Sequence, residues 1–190
     1  MLGSSEKIYD EEIQSLISLL QPTSVLELGC GSGKLLNLCS ILRNKTTAIQ
    51  KIFTEADLPR LRAIGYDVID RDILDYYKEG FDERYDLVVA MDVIEHFLFS
   101  DAISIIDFSL YRANWMLLVW PSQHPQDAAS SSFDRHRTSF TLRALTDRFE
   151  VVFYRQCGFG QYNFLGLYHC ALLRGHMNLG NFLRPSRGGA

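Results

Sequence analysis

The stretch Val25-Leu26-Glu27-Leu28-Gly29-Cys30-Gly31-Ser32-Gly33 decides the fold. An apolar run interrupted by one acid enters three alternating glycines, and the apolar-rich stretch Lys34 to Leu42 follows. The order reads as strand, tight loop, helix. Glycines at such a junction allow positive φ and let a ligand approach closer than any Cβ permits, so the loop implies a bound small molecule. A Gly-x-Gly-x-Gly loop alone also fits dinucleotide enzymes, which cradle a pyrophosphate at a helix N-terminus. Glu27 separates the two readings. A carboxylate two residues before the first glycine repels a diphosphate and suits a cofactor carrying an ammonium and a sulfonium, which favours S-adenosylmethionine.

On these residues the stretch resembles the first motif of class I S-adenosylmethionine-dependent methyltransferases. Later segments follow the same order: Asp72-Ile73 after a third strand, Asp86 to Ala90 running into Asp92-Val93-Ile94-Glu95-His96, then the Trp120-Pro121 loop. The resemblance covers roughly residues 8 to 173 and is nearest to the small-molecule branch typified by ubiquinone- and menaquinone-pathway enzymes. It implies an α/β, Rossmann-like three-layer sandwich whose mostly parallel sheet has about seven strands, the last antiparallel. It implies S-adenosyl-L-methionine as cofactor and methyl transfer to an O, N or C nucleophile of a small molecule. Glu27, Gly29, Gly31 and Gly33 are then expected at the methionine end, Gln50 at the ribose, Asp72 and Ile73 at the adenine, and Asp92 beside the cofactor. Gln50 departs from the family, which has an acid there to accept from both ribose hydroxyls. A glutamine amide can accept from one hydroxyl and donate to the other, or Glu55 can reach in.

The 190 residues fit one domain, expected over 1–174, with a disordered tail over 175–190 rich in Gly, Asn, Pro and Arg. No apolar run is long enough to cross a bilayer and Met1 to Ile8 lacks a signal-peptide pattern, so a cytoplasmic protein with no membrane partner is expected. Cys30, Cys39, Cys157 and Cys170 form no Cys-x-x-Cys pair and read as buried thiols. The net charge of −4 is uneven: residues 133–190 carry +5 and residues 1–132 carry −9. The basic C-terminal third suits an anionic or carrier-bound substrate, while a pI near 5.7 argues against a nucleic-acid partner.

Apolar spacing predicts an amphipathic helix over Ser4 to Leu20, a strand over Thr46 to Ile49, a helix over Asp57 to Ile64 and a strand over Tyr66 to Ile69. Asp86 to Ala90 reads as a buried central strand, and ligands bind beyond the carboxyl ends of such strands. A helix from Phe99 to Arg112, a strand from Trp115 to Trp120, a helix from Thr141 to Phe149 and strands over Glu150 to Gln156 and Leu165 to Leu173 follow. The stretch from Pro121 to Phe140, lacking periodicity, is the expected substrate loop. With no inserted lid, the pocket is open to a large acceptor or is closed by a second copy in a homodimer.

Methyl transfer needs the nucleophile held at near-attack distance and its proton removed where necessary. His96, His136 and His124 are the candidate bases, because histidine titrates near neutral pH. This leading reading requires no metal. A second starts from Asp92-x-x-Glu95-His96 with downstream His136, which resembles the metal-binding set of small-RNA 3′-terminal 2′-O-methyltransferases. Against it, Asp92 stands where that family has Glu and only one of its two clustered downstream histidines is evident. A third treats the chain as a non-catalytic partner subunit; the intact Glu27 and glycine loop argue against that.

Overall fold

The computed structural model describes residues 9–52, 54–122, 136–161 and 164–176. Among them a seven-stranded sheet forms from β1 (Val25–Leu28), β2 (Thr46–Ile49), β3 (Tyr66–Ile69), β4 (Tyr85–Met91), β5 (Ala113–Ser122), β6 (Val151–Gln161) and β7 (Phe164–Arg174). The strand order is β3-β2-β1-β4-β5-β7-β6. β7 runs antiparallel to both β5 and β6, and the pairings among β1 to β5 are parallel. Six α-helices complete the described fold: α1 (Asp10–Leu20), α2 (Lys34–Leu38), α3 (Asp57–Ile64), α4 (Ile73–Glu79), α5 (Phe99–Arg112) and α6 (Leu142–Thr146).

The central strands are apolar because both faces of the sheet are covered. All four residues of β1 are buried, and alternate ones point to opposite layers. Val25 packs with Ile13, Leu16 and Ile17 of α1, Leu35 and Leu36 of α2 and Leu61 of α3. Leu26 and Leu28 pack with Ile105, Ile106 and Leu110 of α5 and Leu145 of α6. The spacing of Ile13, Leu16 and Ile17 gives α1 its buried stripe. That helix ends at Gln21, whose left-handed backbone donates its N–H to Ile17 O just before Pro22.

The strand order also places the site. The chain builds outward from β1 to β3, then returns to the other side of β1 as β4. The crevice left by this reversal lies beyond the carboxyl ends of β1 and β4, where the glycine loop and Asp92 to His96 emerge.

Several boundaries differ from the sequence reading. The second helix stops at Leu38, because Cys39 leaves helical geometry at φ −124°, and a short 3-10 turn spans Ser40–Leu42. Asp72 caps a helix, α4, that was not expected. The closing hairpin is longer than expected, and Gly158 and Gly160 pair within it beyond the expected end at Gln156. Residues 1–8, most of the expected substrate loop and tail residues 177–190 lie outside the described residues. No helix among the described residues is long and apolar enough to cross a membrane.

Trp120 ties β5 to the segment before α6. Its ring is fully buried, stacks on His169 at 4.8 Å, and its Nε1–H donates to Phe140 O at 3.1 Å. Trp120→Phe removes that donor and leaves a buried carbonyl unsatisfied, an expected loss of about 1–3 kcal/mol in urea denaturation. A wild-type midpoint would contradict this.

Candidate active site

The glycine loop turns immediately after β1. Gly29 and Gly31 have φ of +65° and +51°, a region that disfavours side chains. A Cβ at Gly29 would stand 2.8 Å from Val93 Cγ2, whereas one at Gly31 would meet nothing within 4 Å. Gly29 is therefore glycine for close packing and Gly31 for an open approach, which is the cradle a small ligand needs. Gly33, at φ +87°, precedes α2 and packs under Ile64 and Tyr66.

Two side chains brace the loop from outside. Gln50, at the end of β2, accepts from the Gly31 N–H at 3.0 Å and donates through Nε2 to Lys51 O at 2.8 Å. Arg60 of α3 donates to Ser32 O at 2.8 Å and to Gly31 O at 3.3 Å. Sequence reasoning placed Gln50 at the ribose, and the structure has its amide oxygen on the loop. Arg60 was missed, because an arginine on a surface helix carries no motif.

Glu27 is 1% exposed and lies beneath the loop rather than on an open surface. Its Oε2 accepts from the Tyr66 hydroxyl at 2.6 Å, and that hydroxyl accepts from the Leu36 N–H at 3.4 Å. Burial pushes the Glu27 pKa up to about 7, with the Tyr66 hydrogen bond partly opposing the shift. Asp72 caps α4, its Oδ1 accepting from Leu74 N at 2.8 Å and Asp75 N at 3.4 Å. Ile73, the next residue, brings its Cδ1 to 3.8 Å from the Gly29 Cβ position and walls the crevice. Asp92, at the end of β4, has φ +55° and accepts on Oδ1 from the Tyr168 hydroxyl.

Beyond Asp92 the chain makes a 3-10 turn, Ile94–His96, that buries Glu95 completely. The Glu95 carbonyl accepts from the N–H groups of Arg137 and Thr138 at 2.8 and 3.1 Å, and Thr138 Oγ1 donates to Phe97 O at 2.8 Å. This backbone clamp brings His136 back to the turn. His96 Nε2 and His136 Nε2 each lie 3.9 Å from Glu95 Oε1, and the two rings meet edge to face at 5.1 Å. His124 lies outside the described residues.

Neither Glu95 oxygen has a hydrogen-bond partner among the described residues. Burial, reinforced by the nearby Asp92 carboxylate, raises its pKa well above the carboxylate range, with the backbone N–H groups of Glu95 and Val93 opposing. A buried carboxylate in this condition is costly. One ligand atom each from Glu95, His96 and His136 lie within 4.8 Å of one another, so a single cation can be held by all three. One carboxylate and two imidazoles suit a divalent first-row metal. The leading sequence reading took the histidines as bases and assigned no metal; the geometry groups both with Glu95 as a ligand set.

A further buried histidine, His169, was not anticipated from its apolar strand. Its Nε2 lies 2.5 Å from Ser122 Oγ and its Nδ1 2.7 Å from the Tyr154 hydroxyl. Burial lowers its pKa to about 4, which keeps the ring neutral.

A family model described as "Methyltransferase domain" matches residues 5–152, and the chain belongs to that family. No curated protein matches the sequence. Among solved structures, the fold is similar to TehB from Haemophilus influenzae, at 17% identity and TM-score 0.65, covering 86% of this chain and 61% of that one. It is similar to the methyltransferase domain of bacterial CtHen1, at 16% identity and TM-score 0.59, covering 88% and 98%. It is also similar to the N-methyltransferase NodS from Bradyrhizobium japonicum WM9 in complex with S-adenosyl-L-homocysteine, at 19% identity and TM-score 0.57, covering 89% and 88%. This chain thus spans less than two thirds of the TehB chain. The fold is shared with these methyltransferases, in keeping with the family to which the chain belongs.

The raised Glu27 pKa makes a pH test. The folded state holds that proton more tightly than the unfolded chain, so this contribution to stability is full below about pH 4.5 and is lost as pH rises through about 7. Glu27→Gln lacks it, and between pH 4.5 and 8 the variant is expected to gain roughly 3 kcal/mol relative to wild type in urea denaturation. Parallel stability profiles would contradict the assignment.

Proposed function

We propose that the chain transfers the methyl group of S-adenosylmethionine to a hydroxyl oxygen, with a divalent cation held by Glu95, His96 and His136. The observation that carries this reading is the buried Glu95 carboxylate, whose oxygens have no hydrogen-bond partner among the described residues and which has two imidazole nitrogens 3.9 Å away. The cofactor cleft is the crevice beside Gly29 and Gly31. Gln50 and Arg60 hold the loop's peptide groups in place, so the cradle is preorganised before the cofactor arrives.

In the reaction the S–CH3 bond breaks with its electron pair going to sulfur, the acceptor oxygen bonds to the methyl carbon, and the hydroxyl proton leaves. A cation at the centre supplies Lewis acidity that lowers the pKa of the acceptor hydroxyl. His96 and His136 would hold the cation as neutral imidazoles, their Nε2 atoms lying 3.9 Å from Glu95 Oε1. The clamp from Arg137 and Thr138 N–H to the Glu95 carbonyl fixes the spacing between His136 and the turn.

The acceptor is a small molecule, in keeping with the branch the motifs resemble and with the −9 carried by residues 1–132, which opposes a polyanion. The second reading, a 3′-terminal ribose of RNA, is favoured by the pairing of Asp92-x-x-Glu95-His96 with His136 and by the likeness to the CtHen1 methyltransferase domain. The non-catalytic reading gains nothing from a site that combines the glycine cradle with a buried ligand set.

Labelled-methyl transfer by metal-stripped protein tests this directly, with phenolic and catecholic acceptors beside RNA ending in a 2′-hydroxyl or a 2′-deoxyribose. Activity is expected to require Mn²⁺ or Mg²⁺, and Glu95→Gln is expected to lower it by roughly 10²-fold or more while cofactor affinity holds. Transfer that ignores chelation sinks the cation reading. Methylation of the 2′-hydroxyl RNA alone puts the second reading first.

A further inference from the structure

Tyr168 of β7 reaches across to the end of β4. Its hydroxyl donates to Asp92 Oδ1, and its carbonyl accepts from the Tyr9 hydroxyl at 2.5 Å. The two tyrosine rings lie 6.4 Å apart and both are buried. The N-terminus of α1, the antiparallel strand and the residue that ends β4 are thereby linked in one chain of contacts.

Asp92 is held in an unusual state. Its φ of +55° costs an L-residue on the order of 1 kcal/mol, and such strain persists only where the surroundings impose it. Its N–H donates to Val119 O at 2.9 Å, which fixes the backbone but leaves the carboxylate to be aimed by other means. The Tyr168 hydroxyl aims it. A phenylalanine would fill almost the same buried volume, so packing alone gives no reason for the hydroxyl, whose charge-assisted hydrogen bond orients the carboxylate.

The position matters because Val93, the next residue, lies against Gly29. Asp92 thereby stands at the crevice that the end of β4 shares with the glycine loop, where the cofactor's methionine end is expected. S-adenosylmethionine carries a sulfonium there, and the product carries a neutral thioether. A fixed carboxylate favours the first over the second by Coulomb attraction in a partly desolvated crevice.

We infer that Tyr168 is a positioning residue that holds the Asp92 carboxylate toward the cationic end of S-adenosylmethionine, so that the cleft prefers cofactor to product. This rests on the reading of the crevice as the cofactor site. Tyr168 lies beyond the family match over residues 5–152, so no family motif points to it.

Calorimetric titration of wild type, Tyr168→Phe, Asp92→Asn and the double variant with S-adenosylmethionine and S-adenosylhomocysteine tests the inference, with melting temperatures measured alongside. Tyr168→Phe is expected to weaken S-adenosylmethionine about tenfold and S-adenosylhomocysteine less than about twofold. Asp92→Asn is expected to show the same preference, and the double variant to be no weaker than Asp92→Asn alone. Equal weakening of both ligands by Tyr168→Phe, or none, makes Tyr168 a packing residue and overturns the inference. An unchanged ligand ratio in Asp92→Asn overturns it too, by removing Asp92 from the cationic end. Wild-type protein that binds neither ligand overturns the cofactor reading itself, a separate failure.

Discussion

The Val93 side chain fills the space between the ends of β1 and β4 and leaves no room for one at Gly29. A Cβ at Gly29 would press on Val93 at 2.8 Å, and this close contact lets the chain leaving β4 lie against the chain leaving β1. Next to it come the left-handed turn at Asp92, the 3-10 turn that buries Glu95, and the crevice the two loops share. The strand reversal supplies the opening, and the glycine keeps its walls close enough to grip a small ligand.

The two buried acids of this region are handled in opposite ways. Glu27 has Tyr66 as a neutral hydrogen-bond partner, and the pair is sealed within the layer formed by α1, α2 and α3. That arrangement supports the loop from below. Glu95 is equally buried, has no such partner among the described residues, and faces two imidazoles. Groups whose ionisation is strongly disfavoured and that sit in a crevice beside other ligating atoms are characteristic of reactive sites. Burial alone would not separate these carboxylates; their partners do.

Much of the fold was legible because it is local. The β1 run with its glycines, the continuous apolar run of β4, α3 and β3 follow from periodicity and turn residues within a short window. Asp72, expected at the adenine, has its carboxylate on the N-terminal N–H groups of α4. What the sequence hid is long-range. Tyr66 meets Glu27 across 39 residues and Tyr168 meets Asp92 across 76, and neither pairing has a local signature. His96 and His136 were grouped with Glu95 only through a resemblance, and what brings them together is the docking of the backbone of residues 137 and 138 on the Glu95 carbonyl. Gln50 likewise reads as a ribose contact from its place after β2, and its hydrogen bond to the Gly31 N–H becomes visible only in the fold.

The claim on which the account turns is that the buried Glu95 and its two histidines hold a cation beside the cofactor. A crystal of the protein grown with S-adenosylhomocysteine and Mn²⁺, with diffraction recorded at the manganese absorption edge, tests it directly. The account predicts one strong anomalous peak within coordination distance of Glu95, His96 and His136, next to the product in the crevice by Gly29 and Gly31. Product bound in that crevice with no anomalous density at the three residues would contradict it.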